Sequence, residues 1–140
     1  ALPLVIDAAL CRRAQFSIFG TDYPTPDGTA VRDYVHVDDL AAAHVLALEH
    51  LLSENDALVL NLGTGTGCSV RDLIDAVARV SGHDVPVTEE ARLPGDSPAL
   101  IADPARIQQV LGWCPTYTDI DAIVATAWKW HAERNAGAQS

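Results

Sequence analysis

The run from Phe16 to His44, FSIFGTDYPTPDGTAVRDYVHVDDLAAAH, carries the residues best suited to chemistry. Its Arg32 is one cation among acids, in a stretch that reads as loop beside a hydrophobic wall. A guanidinium offers a rigid fork of donors that matches phosphate oxygens, so Arg32 is a candidate clamp for an anionic small molecule. A surface ion pair suits the bare residue equally well, with Asp33 as its structural partner. Phe19 ends a strand and can stack on a flat base, although filling a core is the commoner use of such a side chain. A second stretch, Arg92-Leu93-Pro94-Gly95-Asp96, offers a cation and a carboxylate on a Pro-Gly turn. A carboxylate there can accept hydrogen bonds from ribose hydroxyls, and an ordinary turn is the simpler reading.

Other chemistries find less support. NLGTGTGCSV follows an expected strand and opens an expected helix, as a phosphate-cradling glycine loop does. Its spacing is Gly63-x-Gly65-x-Gly67, whereas the dinucleotide fingerprint needs G-x-G-x-x-G and an acid at the end of a second strand. The loop therefore reads as a tight turn, with glycines at positive φ and Ser69 capping the helix that follows. His36, His44 and His50 form no ligand set, and Cys68 has no histidine base beside it. Asp38, Asp39 and Glu49 make no spaced carboxylate pair for glycoside hydrolysis. No catalytic constellation and no metal site are visible.

Composition narrows the partners. The 140 residues include 9 basic and 19 acidic ones, for a net charge of −10. That balance opposes non-specific binding to nucleic acid or to an anionic membrane, both of which rely on cationic patches. Cys11, Cys68 and Cys114 are an odd count without a C-x-x-C pair, which points to a reducing, cytoplasmic setting and no disulfide framework. No apolar stretch approaches the ~20 residues that span a bilayer. The opening ALPLVIDAALCRR has no basic n-region, so no signal peptide is expected. It reads as a helix already under way in a chain without methionine, so a fragment is expected.

The elements that must position these residues alternate in type. A helix is predicted over 2–13, a strand over 16–19, a loop over 20–31 and a strand over 34–37, where YVHV is rich in strand formers. Asp38 or Asp39 caps a helix whose Leu40, Ala43, Leu46, Ala47 and Leu51 recur at helical spacing. ALVLNLG, residues 57–63, reads as a strand stopped by glycine. Ser69 and Asp72 form a capping box that opens a helix over 69–81, and Gly82 closes it. VPVT is a short strand whose Pro86 suggests an edge. Helices follow near 103–111 and 119–134, and a flexible tail from 135 to 140. The expected fold class is α/β, with short strands alternating with helices and no linker dividing the chain.

The order IFGTDYPTPDGTAVRDYVHVDDLAAAHVLAL, NLGTGTGCSV, RLPGDSPALIADPARIQQVLGW closely resembles the C-terminal portion of the UDP-glucose 4-epimerases. These are extended short-chain dehydrogenases/reductases. The resemblance runs from residue 1 to about 134, and DYPTPDGTAVRDYVHVDDLA is its most specific part. It implies that residues 1–134 are the UDP-sugar-binding half of an enzyme whose Rossmann half holds NAD. It also implies a homodimeric whole, which oxidises the sugar at C4 and returns hydride to the opposite face. Carried over by position, Ser17, Ile18 and Phe19 would line the uracil, Arg32 would clamp the diphosphate and Asp96 would bind the ribose hydroxyls.

Two departures qualify the carry-over. The family usually has two basic residues before the Pro-Gly-Asp turn, and here Arg92 is followed by Leu93. The diphosphate grip should then be weaker, or Arg92 must reach in its place. A tyrosine found near Leu100 in some members is also absent. The family's glycine loop, its Ser/Thr and its Tyr-x-x-x-Lys pair are not in these 140 residues, and the resemblance puts them upstream of Ala1. No catalytic residue is therefore expected within this chain. The alternatives are a free-standing nucleotide-sugar binding module, or the same half of an enzyme for UDP-xylose/arabinose, UDP-N-acetylglucosamine or UDP-glucuronate.

Overall fold

Capping and apolar spacing decide where this chain turns helical, and pairing partners decide where it forms strands. The computed structural model describes residues 1–54 and 56–136. Within them the elements run α1 (Leu2–Ala9), β1 (Phe16–Phe19), β2 (Val31–Arg32), α2 (Val37–Glu54), β3 (Cys68–Ser69), α3 (Val70–Ser81), β4 (Val87–Glu90), β5 (Ala99–Leu100), α4 (Ala105–Leu111) and α5 (Ile120–Ala136). The fold is α/β, as the alternation predicts. β1 and β4 pair in parallel, Phe16 opposite Val87 and Phe19 opposite Glu90. β2 is the middle strand of a second small sheet, antiparallel to β3 and parallel to β5.

α1, β1, α3 and α5 enclose the main core. Val5, Ile6, Leu73, Val77 and Val124 are fully buried there, with Phe16 and Ile18 facing them from β1. A smaller cluster joins Ala43 of α2, Ile107 of α4 and the following Trp113. α3 begins as its sequence predicts. The Ser69 hydroxyl accepts the Asp72 amide at 3.0 Å, the Asp72 carboxylate accepts the Ser69 amide at 3.4 Å, and Gly82 ends the helix at φ +70°. This is the reciprocal capping box that satisfies otherwise orphaned amides.

Several expected boundaries move, each for a local reason. The helix expected over 2–13 ends at Ala9 because Cys11 turns left-handed at φ +56°. The Arg12 amide then reaches Asp7 O at 2.9 Å and the Cys11 amide reaches Ala8 O at 3.1 Å. That stop usually uses glycine, so composition does not mark it. The strand expected over 34–37 is instead Val31–Arg32, whose partners are Ser69, Cys68, Ala99 and Leu100. His36 is committed to starting α2: its Nδ1 accepts the Asp38 amide at 3.0 Å and its carbonyl the Leu40 amide at 3.0 Å. An imidazole, and not Asp38 or Asp39, is the cap. Asp39 is buried and holds the loop before α5, accepting the Thr116 and Tyr117 amides, each at 2.9 Å.

The strand expected over 57–63 is extended and carries no ladder among the described residues. Leu58, Leu60 and Leu62 face inward and alternate with exposed Ala57, Val59 and Asn61, which is the pattern of a strand without its neighbour. Pro86 lies just before β4, and its carbonyl accepts the Phe16 amide at 2.8 Å. The helices expected near 103–111 and 119–134 are Ala105–Leu111 and Ile120–Ala136. The expected tail is thus helical at 135 and 136, and residues 137–140 lie outside the described residues. Among the described residues no helix is long and apolar enough to cross a membrane.

Candidate functional site

Arg32 sits on β2, the central strand of the small sheet, where neighbours on both sides fix its backbone. Its Nη1 donates to Val31 O at 2.7 Å and Ser97 O at 3.0 Å, and its Nη2 donates to the Asp96 carboxylate. Both side chains are about three-quarters buried, at 25% and 29% exposure. The two residues picked as separate ligand contacts, 64 positions apart, therefore meet as an ion pair. Asp33 is not Arg32's partner. Consecutive residues of an extended chain point to opposite sides, and Asp33 turns the other way. Its carboxylate accepts the Thr64 amide at 2.9 Å, the Thr64 hydroxyl at 2.6 Å, the Gly65 amide at 3.0 Å and the Ala102 amide at 3.3 Å.

That network explains the glycine run. Only Gly65 of the three takes the left-handed conformation, at φ +75°. Gly63 and Gly67 are required by close approach. A Cβ at Gly63 would lie 2.4 Å from Asp33 Oδ2, and one at Gly67 would lie 2.5 Å from a Val31 methyl. The expectation of positive φ throughout the turn is corrected accordingly. The Thr64 and Gly65 amides, which a phosphate loop would present to its ligand, point at Asp33.

Arg92 is anchored one loop away. Its Nε donates to Asp22 Oδ1 at 2.6 Å, its Nη2 to the Asp22 carbonyl, and its guanidinium lies 4.3 Å from the Tyr23 ring centroid. The bond from Arg92 is the main influence that holds the Asp22 carboxyl below its ordinary range. Gly20, just after Phe19, lets this happen, because a Cβ there would meet Tyr23 at 2.5 Å and Arg92 Cγ at 2.7 Å. The end of β1, Arg92, Asp96 and Arg32 are thus one neighbourhood joined by the loop between β4 and β5. Ser17 and the 42%-exposed Phe19 face away from the core. Ile18 is 2% exposed and its side chain packs in the main core, so only its main chain is available to a ligand.

The loop before β2 is tied down from within. Asp27 accepts the Thr29 amide and hydroxyl, each at 2.8 Å, and the Ser69 hydroxyl that also caps α3. Burial pushes the Asp27 carboxyl up, and the donors from Ser69 and Thr29 outweigh it and hold the group below its ordinary value. Behind the sheet, burial pushes the Tyr34 hydroxyl to about 12 and the Cys68 thiol to about 11, with Asp72 adding to the latter. Cys68 is consequently a neutral thiol at ordinary pH, which fits the lack of a base beside it.

Three clefts, of about 420, 350 and 600 Å³, are lined by other residues. The candidate contacts lie instead on a partly open face. Sequence reasoning missed Asp22 and Asp27 and offered Asp33 the wrong partner. Asp27 had a local signal, an aspartate two residues before the threonine it binds. Asp33 had none, since its partners are 31, 32 and 69 positions away.

The comparisons with known proteins agree on a class. The chain is related to the NAD dependent epimerase/dehydratase family, whose model matches residues 1–63. More narrowly, its relatives are UDP-glucose 4-epimerases. It is 52% identical to that of Rhizobium meliloti (strain 1021) over 98% of this chain and 42% of the relative. It is 53% identical to that of Rhizobium leguminosarum bv. trifolii over 96% of this chain and 41% of the relative. Among solved structures, the UDP-glucose-4-epimerase of Stenotrophomonas maltophila superposes with a TM-score of 0.92 at 39% identity, covering 97% of this chain and 40% of that one. That structure holds NAD and formylated UDP-arabinopyranose. The chain spans about two fifths of the length of the curated relatives it matches.

Proposed function

We propose that residues 1–134 form the substrate-binding part of an NAD-dependent UDP-sugar 4-epimerase, most simply one that interconverts UDP-glucose and UDP-galactose. The observation that carries this is the meeting of Arg32 and Asp96 beside the end of β1, in a chain related over nearly all its length to such enzymes. Arg32 holds the diphosphate, with Arg92 as the second cation in place of the family's missing basic residue at Leu93. Asp96 accepts the ribose hydroxyls, Phe19 lies against the uracil, and Ser17 and the Ile18 main chain complete that wall. The catalytic acid/base and the NAD site belong to chain outside these residues. The glycine run of this chain does not fit NAD, because its amides are turned to Asp33. Bound by that further chain, NAD would supply the hydride acceptor and donor for the sugar.

The exposed apolar side chains of α2 and of the unpaired segment, among them Leu52 at 77% and Val59 at 86%, suit a surface covered by such a further domain. The experiment is to express the complete reading frame that contains residues 1–140 and follow UDP-galactose conversion to UDP-glucose. Turnover supports the reading. Tight UDP binding without turnover of any UDP-hexose would instead favour a free-standing binding module.

A further inference from the structure

The loop from β1 to β2 meets the loop between β4 and β5 where Arg92 crosses Tyr23. The guanidinium lies over the Tyr23 ring, 4.3 Å from its centroid. Gly20 makes room for both, since a Cβ there would stand 2.5 Å from Tyr23 Cε2 and 2.7 Å from Arg92 Cγ. The ring is fixed from its own loop. The Tyr23 amide donates to Gly28 O at 2.9 Å, and the Thr25 amide donates to Tyr23 O at 2.8 Å. Tyr23 is 4% exposed, and its buried hydroxyl has no hydrogen-bond partner among the described residues. The ring face, and not the hydroxyl, is what touches the arginine.

We propose that Tyr23 is a positioning residue of the candidate site, which sets through Arg92 where the second cation meets the ligand's diphosphate. The inference rests on the reading of Arg92 as a ligand contact and adds the residue that aims it. A long arginine side chain gives up much rotamer freedom when a ligand pins it, and one held beforehand gives up less. Asp22 holds the edge of the guanidinium through Nε and Nη2, which leaves Nη1 without a hydrogen-bond partner among the described residues. Asp22 is the weaker holder, because its side chain is 75% exposed and exposed ion pairs contribute little. Tyr23 holds the face from a buried position, where the attraction between a cation and a ring is less screened by water.

The test is a double-mutant cycle on UDP affinity, measured by calorimetric titration of the protein from the complete reading frame. Arg92→Met should weaken UDP binding by about tenfold. Tyr23→Leu removes the ring and should weaken it by about two- to fivefold. Tyr23→Phe keeps the ring and breaks no hydrogen bond, so it should restore wild-type affinity. In the Arg92→Met background Tyr23→Leu should cost nothing further, because the residue it acts through is gone. The same loss in both backgrounds, or no loss in either, overturns the positioning role while Arg92 stands as a contact. If Arg92→Met binds UDP as wild type does, the reading of Arg92 falls, and the role of Tyr23 falls with it. Arg92→Lys tests the same idea without disturbing the buried ring. A lysine keeps the charge without the planar fork, so this variant should bind UDP nearly as weakly as Arg92→Met. Wild-type affinity in Arg92→Lys would show that charge alone suffices and would also overturn the inference.

Discussion

The main core and the β2 sheet hold together by opposite means. Around α1, β1, α3 and α5 the contacts are apolar and fully buried, with Val5, Ile6, Leu73, Val77 and Val124 closed to solvent. Around β2 the strands are two residues long, and position is set by carboxylates: Asp27 holds the preceding loop, Asp33 the glycine run and Asp96 the arginine. Apolar packing is strong and indifferent to what a ligand brings. Polar ties are weaker and directional, and a ligand can exchange with them. The candidate site lies in the second region, where contacts can be replaced by others of the same kind.

That contrast can be broken in order of expected effect. Leu73→Ala opens a cavity in the main core and should lower stability by about 2–5 kcal/mol in a denaturant melt. UDP affinity well below the melting point should stay unchanged, and a lost affinity there would mean the two regions are not separable. Asp33→Asn removes the charge that four donors share and should cost about 1–3 kcal/mol. Its signature is faster hydrogen exchange at the Thr64 and Gly65 amides, and unaltered exchange would deny Asp33 its role.

Asp27 gives the smallest effect and a pH sign. Its folded-state carboxyl lies below its ordinary value of about 4, so its contribution is present above that pH and lost as pH falls through the lower folded value. Asp27→Asn should therefore lower stability at pH 8 and flatten the acid limb of a stability–pH curve, so that variant and wild type converge at low pH. An acid limb that coincides with wild type would refute the assignment.

The sequence made one region more legible than the other. Helical spacing, the Ser69–Asp72 box and Gly82 predicted α3 almost to the residue, because the forces that make it act within four positions. The end of α1 was hidden because a cysteine takes the place of a glycine. β2 was misplaced because Val31 and Arg32 become a strand only through partners 36, 38 and 68 positions away. Arg32 and Asp96 stood out by charge type and by resemblance to a family. Their direct contact did not, since nothing local links positions 64 apart. Asp33 was read as Arg32's partner on adjacency alone, and the alternation of extended chain sends it elsewhere.

The most direct test of the central claim is UDP titration of Arg32→Ala against wild type, in protein from the complete reading frame. If Arg32 clamps the diphosphate, wild-type protein binds UDP and the variant loses that binding by at least about tenfold, with its fold intact by circular dichroism. Equal UDP affinity in the two proteins would contradict the account.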